Sequence, residues 1–243
     1  MSAKVPQGGA HDPAVQAAAE QALALVAEGM CVGLGSGRAA SLFIERLGAQ
    51  CRAGLSVRGV ATSRASAEIA LVSGVPLIAL EAVELLDLTV DGADEVAPNL
   101  DLIKGWGGAL VRERIVAAAS KRQVIVVGTE KLVPALGARG KVPLEVVPFG
   151  RALVERRVRA LGMAPALRMV EGGPQPFMTE NGNLILDCVP AEPMPDGDAA
   201  RRLEQVLLAI PGVVDTGLFL GTADQVLVGH SDRHVEVLRR PGG

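Results

Sequence analysis

Short apolar runs alternate with helical patterns over the first half of the chain. Between the runs, apolar residues recur every three or four positions, as on one face of a helix. The runs have strand length, and they are Met30–Leu34, Val57–Ala61, Pro76–Leu80, Leu86–Val90 and Gln123–Val127. Nearly all-apolar strands separated by helices are typical of a parallel sheet covered on both faces. The pattern therefore predicts an α/β fold with a doubly wound, mostly parallel, Rossmann-like sheet.

The pattern changes after residue 130, where prolines interrupt shorter elements. Asn181-Gly182 lies between two apolar segments and predicts a β-hairpin. Val213-Val214 and Gln225–Val228 are predicted to return to the first sheet. We therefore expect a Rossmann-like catalytic domain formed by residues 1–130 plus 205–243, and a smaller α+β domain formed by residues 131–204.

Composition excludes several classes of protein. The chain has 243 residues, 49% of them hydrophobic, which is enough to bury a sizeable core. Its net charge of −3 offers no basic face for nucleic acid, and no apolar run reaches the roughly 18 residues of a membrane span. Residues 1–9 lack the apolar core of a signal peptide. The 3 cysteines, without a CxxC spacing, favour neither a disulfide framework nor a zinc site. We expect a cytoplasmic protein.

Candidate binding residues follow the predicted strands directly. In an open parallel sheet, ligands bind beyond the carboxyl ends of the strands, so these residues should share one crevice. The four sets are Gly35–Arg38, Thr62-Ser63 with Ser66, Asp91–Glu95 and Thr129–Lys131.

The first of these sets is rich in glycine and opens a helix. Free backbone N–H groups and the helix dipole favour an anion such as phosphate at such a turn. The same residues could equally form a tight turn without a ligand. A dinucleotide is less favoured, because its fingerprint would need glycine where Arg38 stands, and a P-loop would need a Gly-Lys-Ser/Thr sequence that the chain lacks.

Asp91, Asp94 and Lys104 form the second candidate group. The two carboxylates, with Glu95, could belong to a solvated turn or to a magnesium site. Lys104 favours a metal-free site, since an ammonium close to carboxylates keeps them ionised and can donate to a developing oxyanion.

Glu113 extends this group through helix geometry. If the helix begins near Gly107-Gly108, Glu113 lies in its second turn and leans back toward the glycine turn. A carboxylate held there could remove a proton from a carbon next to a carbonyl. The sequence Arg112-Glu113-Arg114 could also be only a charged helix face.

Several segments resemble one known family over nearly the whole chain. They are Asp91–Val96, Leu102–Glu113, Pro143–Pro148, Asn181–Asn183, Pro211–Val214 and Gly217–Phe219. In this order they resemble ribose-5-phosphate isomerase, type A. The resemblance implies a metal-independent aldose–ketose isomerase without a cofactor, which interconverts ribose 5-phosphate and ribulose 5-phosphate through an enediolate in the non-oxidative branch of the pentose phosphate pathway. It also implies a homodimer or homotetramer.

The resemblance also implies roles for individual residues. Glu113 is then the base that moves a proton between C2 and C1, while Asp91, Asp94 and Lys104 open the sugar ring and stabilise the enediolate. The implied substrate contacts are Ser36, Gly37, Arg38, Ala39, Asp91, Gly92, Ala93, Asp94, Lys104, Gly105, Trp106, Gly107 and Lys131.

One departure from the family concerns the first loop. The family has Gly-Thr-Gly-Ser-Thr there, whereas this chain has Gly35-Ser-Gly-Arg-Ala39, so two hydroxyl donors are missing. We expect Arg38 to replace them with a charge-assisted contact to phosphate. A sugar-phosphate-binding regulator and a coenzyme A-transferase-like enzyme on a related fold are the alternative functions.

Overall fold

The computed structural model describes residues 12–240, so residues 1–9 of the signal-peptide argument lie outside the described part. Helices in this part are α1 Pro13–Leu23, α2 Arg38–Arg52, α3 Arg64–Ser73, α4 Leu110–Ala118, α5 Arg151–Ala160 and α6 Gly197–Leu208. Strands are β1 Cys31–Leu34, β2 Arg58–Ala61, β3 Leu88–Asp91, β4 Glu95–Val96, β5 Leu102–Ile103, β6 Gln123–Gly128, β7 Val142–Val146, β8 Met163–Leu167, β9 Leu184–Pro190, β10 Val213–Thr216, β11 Leu218–Phe219, β12 Gln225–Gly229 and β13 Val235–Arg239.

The main sheet has six strands in the order β13-β12-β6-β3-β1-β2. The pairs from β12 to β2 are all parallel, and β13 joins one edge in the antiparallel direction. Strands β1, β3, β6 and β12 are buried at every position, as expected for a sheet with both faces covered. The predicted doubly wound, mostly parallel fold is therefore confirmed.

Helix α1 begins where the sequence indicates a helix start. Asp12 caps it by accepting a hydrogen bond from the N–H of Ala14, and Pro13 occupies the first helical position, where no N–H is needed. Helices α1 and α2 pack against each other and bury Phe43 and Leu47 against Val90 and other apolar residues of the sheet. This packing fixes the start of α2 directly above the carboxyl end of β1.

A second sheet has four antiparallel strands in the order β10-β7-β9-β8. Helices α5 and α6 contact it and enclose a separate apolar core. In a small third sheet, β11-β5-β4, strand β5 ends directly before the turn that begins at Lys104. The predicted turn at Asn181-Gly182 forms, although only an isolated bridge between Met178 and Leu184 joins its two arms.

Two strand assignments from the sequence are wrong. Val213-Val214 belongs to β10, which pairs with β7 in the second sheet and not with the first. The segment Pro76–Leu80 forms only one bridge, between Leu77 and Gly59, before a short 3-10 turn. Because β10 lies in the second sheet, we propose that the smaller domain extends to about residue 216 and does not end at residue 204.

Candidate active site

The four predicted residue sets lie together at the carboxyl edge of the main sheet. The hydroxyl oxygen of Ser36 lies 2.8 Å from the hydroxyl oxygens of both Thr62 and Ser63. The backbone N–H of Ser36 donates to Asp91 Oδ1 at 3.0 Å. The fourth set reaches the same region through Lys131, whose Nζ is 6.0 Å from the centre of the Trp106 ring. Parallel strands bring these loops together although the residues are distant in sequence.

Asp91 ends β3 and connects three parts of the site. Its Oδ1 accepts hydrogen bonds from the N–H groups of Ser36 and Gly92, and its Oδ2 lies 3.0 Å from the ammonium of Lys104. The carboxylate is fully buried. Glycine is required at position 35, since a Cβ there would lie 2.2 Å from Asp91 Cγ. Asp91 thus fixes the first loop and Lys104 relative to each other.

Lys104 is buried between two carboxylates. Its Nζ donates to the carbonyl of Gly92 at 2.5 Å and lies 3.0 Å from Asp91 and 3.5 Å from Glu113 Oε2. Burial alone would lower the pKa of the ammonium, but the charges of Asp91 and Glu113 outweigh it, so the pKa of Lys104 is raised. Lys104 is therefore a charged hydrogen-bond donor in a region shielded from water.

Glu113 is 5% exposed and faces Lys104 from helix α4. The helix begins at Leu110, so Glu113 lies in its first turn and not in the predicted second turn. The pKa of Glu113 is raised to about 8, chiefly by burial, with Lys104 lowering it and the charges of Asp91 and Asp94 raising it. Oε2 is the oxygen that faces the Lys104 ammonium, so a fixed positive charge lies directly beside the carboxylate. A general base is most effective when its pKa lies near the working pH.

Asp94 is held beside the glycine turn that follows Lys104. Its Oδ2 accepts a hydrogen bond from the N–H of Trp106 at 2.9 Å. Burial raises the pKa of Asp94, against the lowering effects of the Trp106 N–H and of nearby cations, among them Lys104. Gly105 has a φ of 96°, and a Cβ there would lie 2.7 Å from Leu110 Cβ, so the turn requires glycine at this position.

Glu95 faces away from this group. It is fully buried and accepts hydrogen bonds from the N–H groups of Gly137 and Arg139. It therefore holds the loop at residues 137–139 and does not join Asp94 in a carboxylate pair. Among residues 12–240, no group of three or more His, Cys, Asp or Glu side chains is arranged to hold a metal ion.

The first loop lies beside a cluster of hydroxyl groups. Ser66 donates to the carbonyl of Gly35 and lies 2.9 Å from Ser63, while Thr62 donates to the carbonyl of Leu34. From the sequence these residues are expected to share the crevice, but no contact with phosphate is predicted for them. The signal available in the sequence was their position directly after the second predicted strand; the pairing of β2 with β1 is seen only in the structure.

Arg38 occupies the first position of α2 and is exposed. The residue before it, Gly37, provides no side-chain cap, so the first N–H groups of the helix lack a partner from the capping position. An exposed guanidinium and uncapped N–H groups at the same helix start form a region suited to an anion.

An α/β fold with buried carboxylates and an ammonium at the carboxyl edge of its sheet is typical of an enzyme that transfers protons. Comparison with known proteins agrees with this class. Residues 58–233 match the sequence model of ribose 5-phosphate isomerase A, also called phosphoriboisomerase A. The chain belongs to the ribose 5-phosphate isomerase A family.

Individual relatives are similar over nearly their whole length. The chain is 46% identical to the ribose-5-phosphate isomerase A of Roseiflexus sp. over 227 residues, which cover 91% of this chain and 94% of the relative. The solved structure of ribose 5-phosphate isomerase A from Methanocaldococcus jannaschii is 36% identical with a TM-score of 0.88, and the match covers 95% of this chain and 100% of the other. A D-ribose-5-phosphate isomerase in complex with phospho-erythronic acid is 34% identical with a TM-score of 0.89, covering 96% and 100%.

Proposed function

We propose that this protein is an aldose–ketose isomerase that interconverts D-ribose 5-phosphate and D-ribulose 5-phosphate. Family membership and the similarity to named isomerases support the reaction. The observation that carries the chemistry is the buried Glu113 carboxylate, which lies 3.5 Å from the Lys104 ammonium and whose pKa is raised by burial. A base next to a fixed cation is what enolisation beside a carbonyl needs.

In the proposed reaction, Glu113 acts as the proton-transfer base. It removes the proton from C2 of the open-chain aldose, and the electron pair of that C–H bond forms the C1–C2 double bond of an enediolate while the aldehyde oxygen takes the negative charge. Lys104 donates to this charge. A proton passes from the C2 hydroxyl to the C1 oxygen, Glu113 returns its own proton to C1, and the oxygen on C2 becomes the ketone. The proton moves between adjacent carbons without a redox cofactor.

Asp91 and Asp94 take the remaining polar roles in this proposal. Asp91 keeps Lys104 charged and placed, because its Oδ2 lies 3.0 Å from Nζ. Asp94 has a raised pKa from burial and lies beside the turn, where it can exchange a proton with a ring oxygen or a sugar hydroxyl. Lys131 and Trp106, which lie near each other, complete the substrate contacts.

The phosphate is proposed to bind at the start of α2. Ser36, the N–H groups that begin the helix, and Arg38 supply the donors there. Gly92 lies against this loop, since a Cβ on Gly92 would be 3.7 Å from Ala39 Cβ. The phosphate site and the proton-transfer site are therefore adjacent, as a five-carbon substrate requires.

We further propose that the reaction needs no metal, because Lys104 occupies the position beside Asp91 that a cation would take. No helix among residues 12–240 is long and apolar enough to cross a membrane. The cytoplasmic location and the assembly into a homodimer or homotetramer stay predictions.

The test is incubation of the purified protein with ribose 5-phosphate, with the products followed by NMR. We expect ribose 5-phosphate and ribulose 5-phosphate to reach equilibrium. A regulator would bind the sugar phosphate without turnover, and a coenzyme A-transferase-like enzyme would turn over only with an acyl-coenzyme A. Either of these results would refute the proposal.

A further inference from the structure

Arg168 lies in the second sheet region but reaches the glycine turn of the proposed active site. It directly follows β8, and its side chain is 11% exposed. Its Nη1 donates to the carbonyl oxygens of Gly105 and Trp106, each at 3.0 Å. One guanidinium nitrogen therefore holds two consecutive peptide groups of the turn.

The guanidinium is itself held in place by Asp187 on β9. Its Nε donates to Asp187 Oδ2 at 3.0 Å and its Nη2 donates to Oδ1, while Lys141 Nζ lies 2.9 Å from Oδ2. Burial opposes the ionised carboxyl, but the hydrogen bonds from Arg168 and Lys141 outweigh it, and the pKa of Asp187 is lowered. A two-point contact with an ionised carboxylate fixes the orientation of the guanidinium plane.

Peptide planarity transmits this orientation to the other side of the turn. In a trans peptide the C=O and the following N–H point in opposite directions. The carbonyl of Gly105 points to Arg168, and the N–H of Trp106 accordingly points to Asp94 Oδ2, 2.9 Å away. The carbonyl of Trp106 also points to Arg168, so the N–H of Gly107 points the opposite way. A Cβ on Gly107 would have no atom within 4 Å, which shows that the turn faces open space at this residue.

We propose that Arg168 is a positioning residue for isomerisation. By holding the carbonyls of Gly105 and Trp106, it directs the Gly107 N–H toward the enediolate oxygen and keeps Asp94 in place, while it does not touch the sugar. This inference rests on the proposed function. It assigns to the smaller domain a part in the chemistry of the larger one.

The test compares Arg168→Met and Arg168→Lys with the control Lys141→Met. The control also removes a cation from Asp187 but leaves the two carbonyl contacts intact. We expect both Arg168 variants to lose about tenfold or more in kcat, with KM for ribose 5-phosphate within about twofold of wild type. Lys141→Met should retain kcat within about twofold. Arg168→Met should lower Tm, because it removes one partner of the largely buried Asp187 pair, so kcat is compared at a temperature where every variant is folded.

Phospho-erythronic acid provides a binding readout. The two oxygens of its planar carboxylate resemble the two oxygens that the enediolate carries on C1 and C2. The affinity of the protein for phospho-erythronic acid should therefore fall together with kcat in the Arg168 variants. Hydrogen exchange at the Trp106 amide should accelerate in Arg168→Met and stay unchanged in Lys141→Met.

Wild-type kcat in a folded Arg168→Lys variant would overturn the inference, because a lysine cannot reproduce the fork. An equal loss in Lys141→Met would also overturn it, since charge alone would then account for the effect. If Arg168→Met fails to fold, Arg168→Lys decides the matter through kcat and KM. A wild-type protein without isomerase activity would refute the proposed function, and the exchange measurement would still test the geometry.

Discussion

The pH dependence of kcat/KM follows from the burial of Glu113. A base with a pKa of about 8 is about one-tenth ionised at pH 7 and about nine-tenths ionised at pH 9. Since only the ionised carboxylate accepts the C2 proton, kcat/KM should rise about tenfold over this interval and level off above it. A carboxyl at the ordinary pKa of 4.5 would be fully ionised throughout, and the profile would be flat.

The assay is the initial rate of ribulose 5-phosphate formation at low substrate, from about pH 5.5 to about pH 9.5. The phosphate of the substrate titrates near pH 6. Any change in kcat/KM that its ionisation causes is therefore separate from the rise expected near pH 8. The matched control is Glu113→Gln, whose residual kcat/KM should show no rise near pH 8. A wild-type profile that is flat between pH 7 and pH 9 would refute the assignment of a buried, protonated base.

Three further predictions concern the neighbouring loops. Arg38→Ala should raise KM for ribose 5-phosphate about tenfold with little change in kcat, since it removes a charged phosphate contact; an unchanged KM in steady-state kinetics would contradict this role. Gly35→Ala should lower the free energy of unfolding by about 2 kcal/mol in denaturant titrations, because its Cβ would lie 2.2 Å from Asp91 Cγ. In Gly107→Ala the new Cβ lies in open space, so the free energy of unfolding should stay within about 0.5 kcal/mol of wild type. An equal loss in the two glycine variants would argue against the clash with Asp91. EDTA should leave the isomerase rate unchanged, whereas strong inhibition would indicate a metal at Asp91 and Asp94.

The hydrophobic pattern was sufficient to predict the main sheet because its strands are short, apolar and separated by helices. It assigned Val213-Val214 to the wrong sheet, since two adjacent valines fit the core of either sheet and only long-range pairing with β7 decides. Pro76–Leu80 has the composition of a strand, but only one of its residues pairs with a neighbour.

The candidate site was predictable where its residues follow strands or share a helix turn. Asp91 and Glu113 come together with Lys104 as expected, although Glu113 lies one turn earlier in its helix than predicted. Arg168 carried no such signal, because it lies in the proline-rich half and reaches the turn only through the packing of the two sheets. The hydroxyl groups near Ser36 come from a neighbouring strand end, which strand order alone brings close.

Proton transfer by Glu113 is tested most directly by Glu113→Gln in D₂O. NMR follows both the isomerisation rate and deuterium incorporation at C2 of ribose 5-phosphate. We expect wild-type protein to incorporate deuterium during turnover, and the folded variant to lose at least about a hundredfold in both rates, the scale of a general base. Wild-type rates of isomerisation and deuterium incorporation in Glu113→Gln would contradict the account.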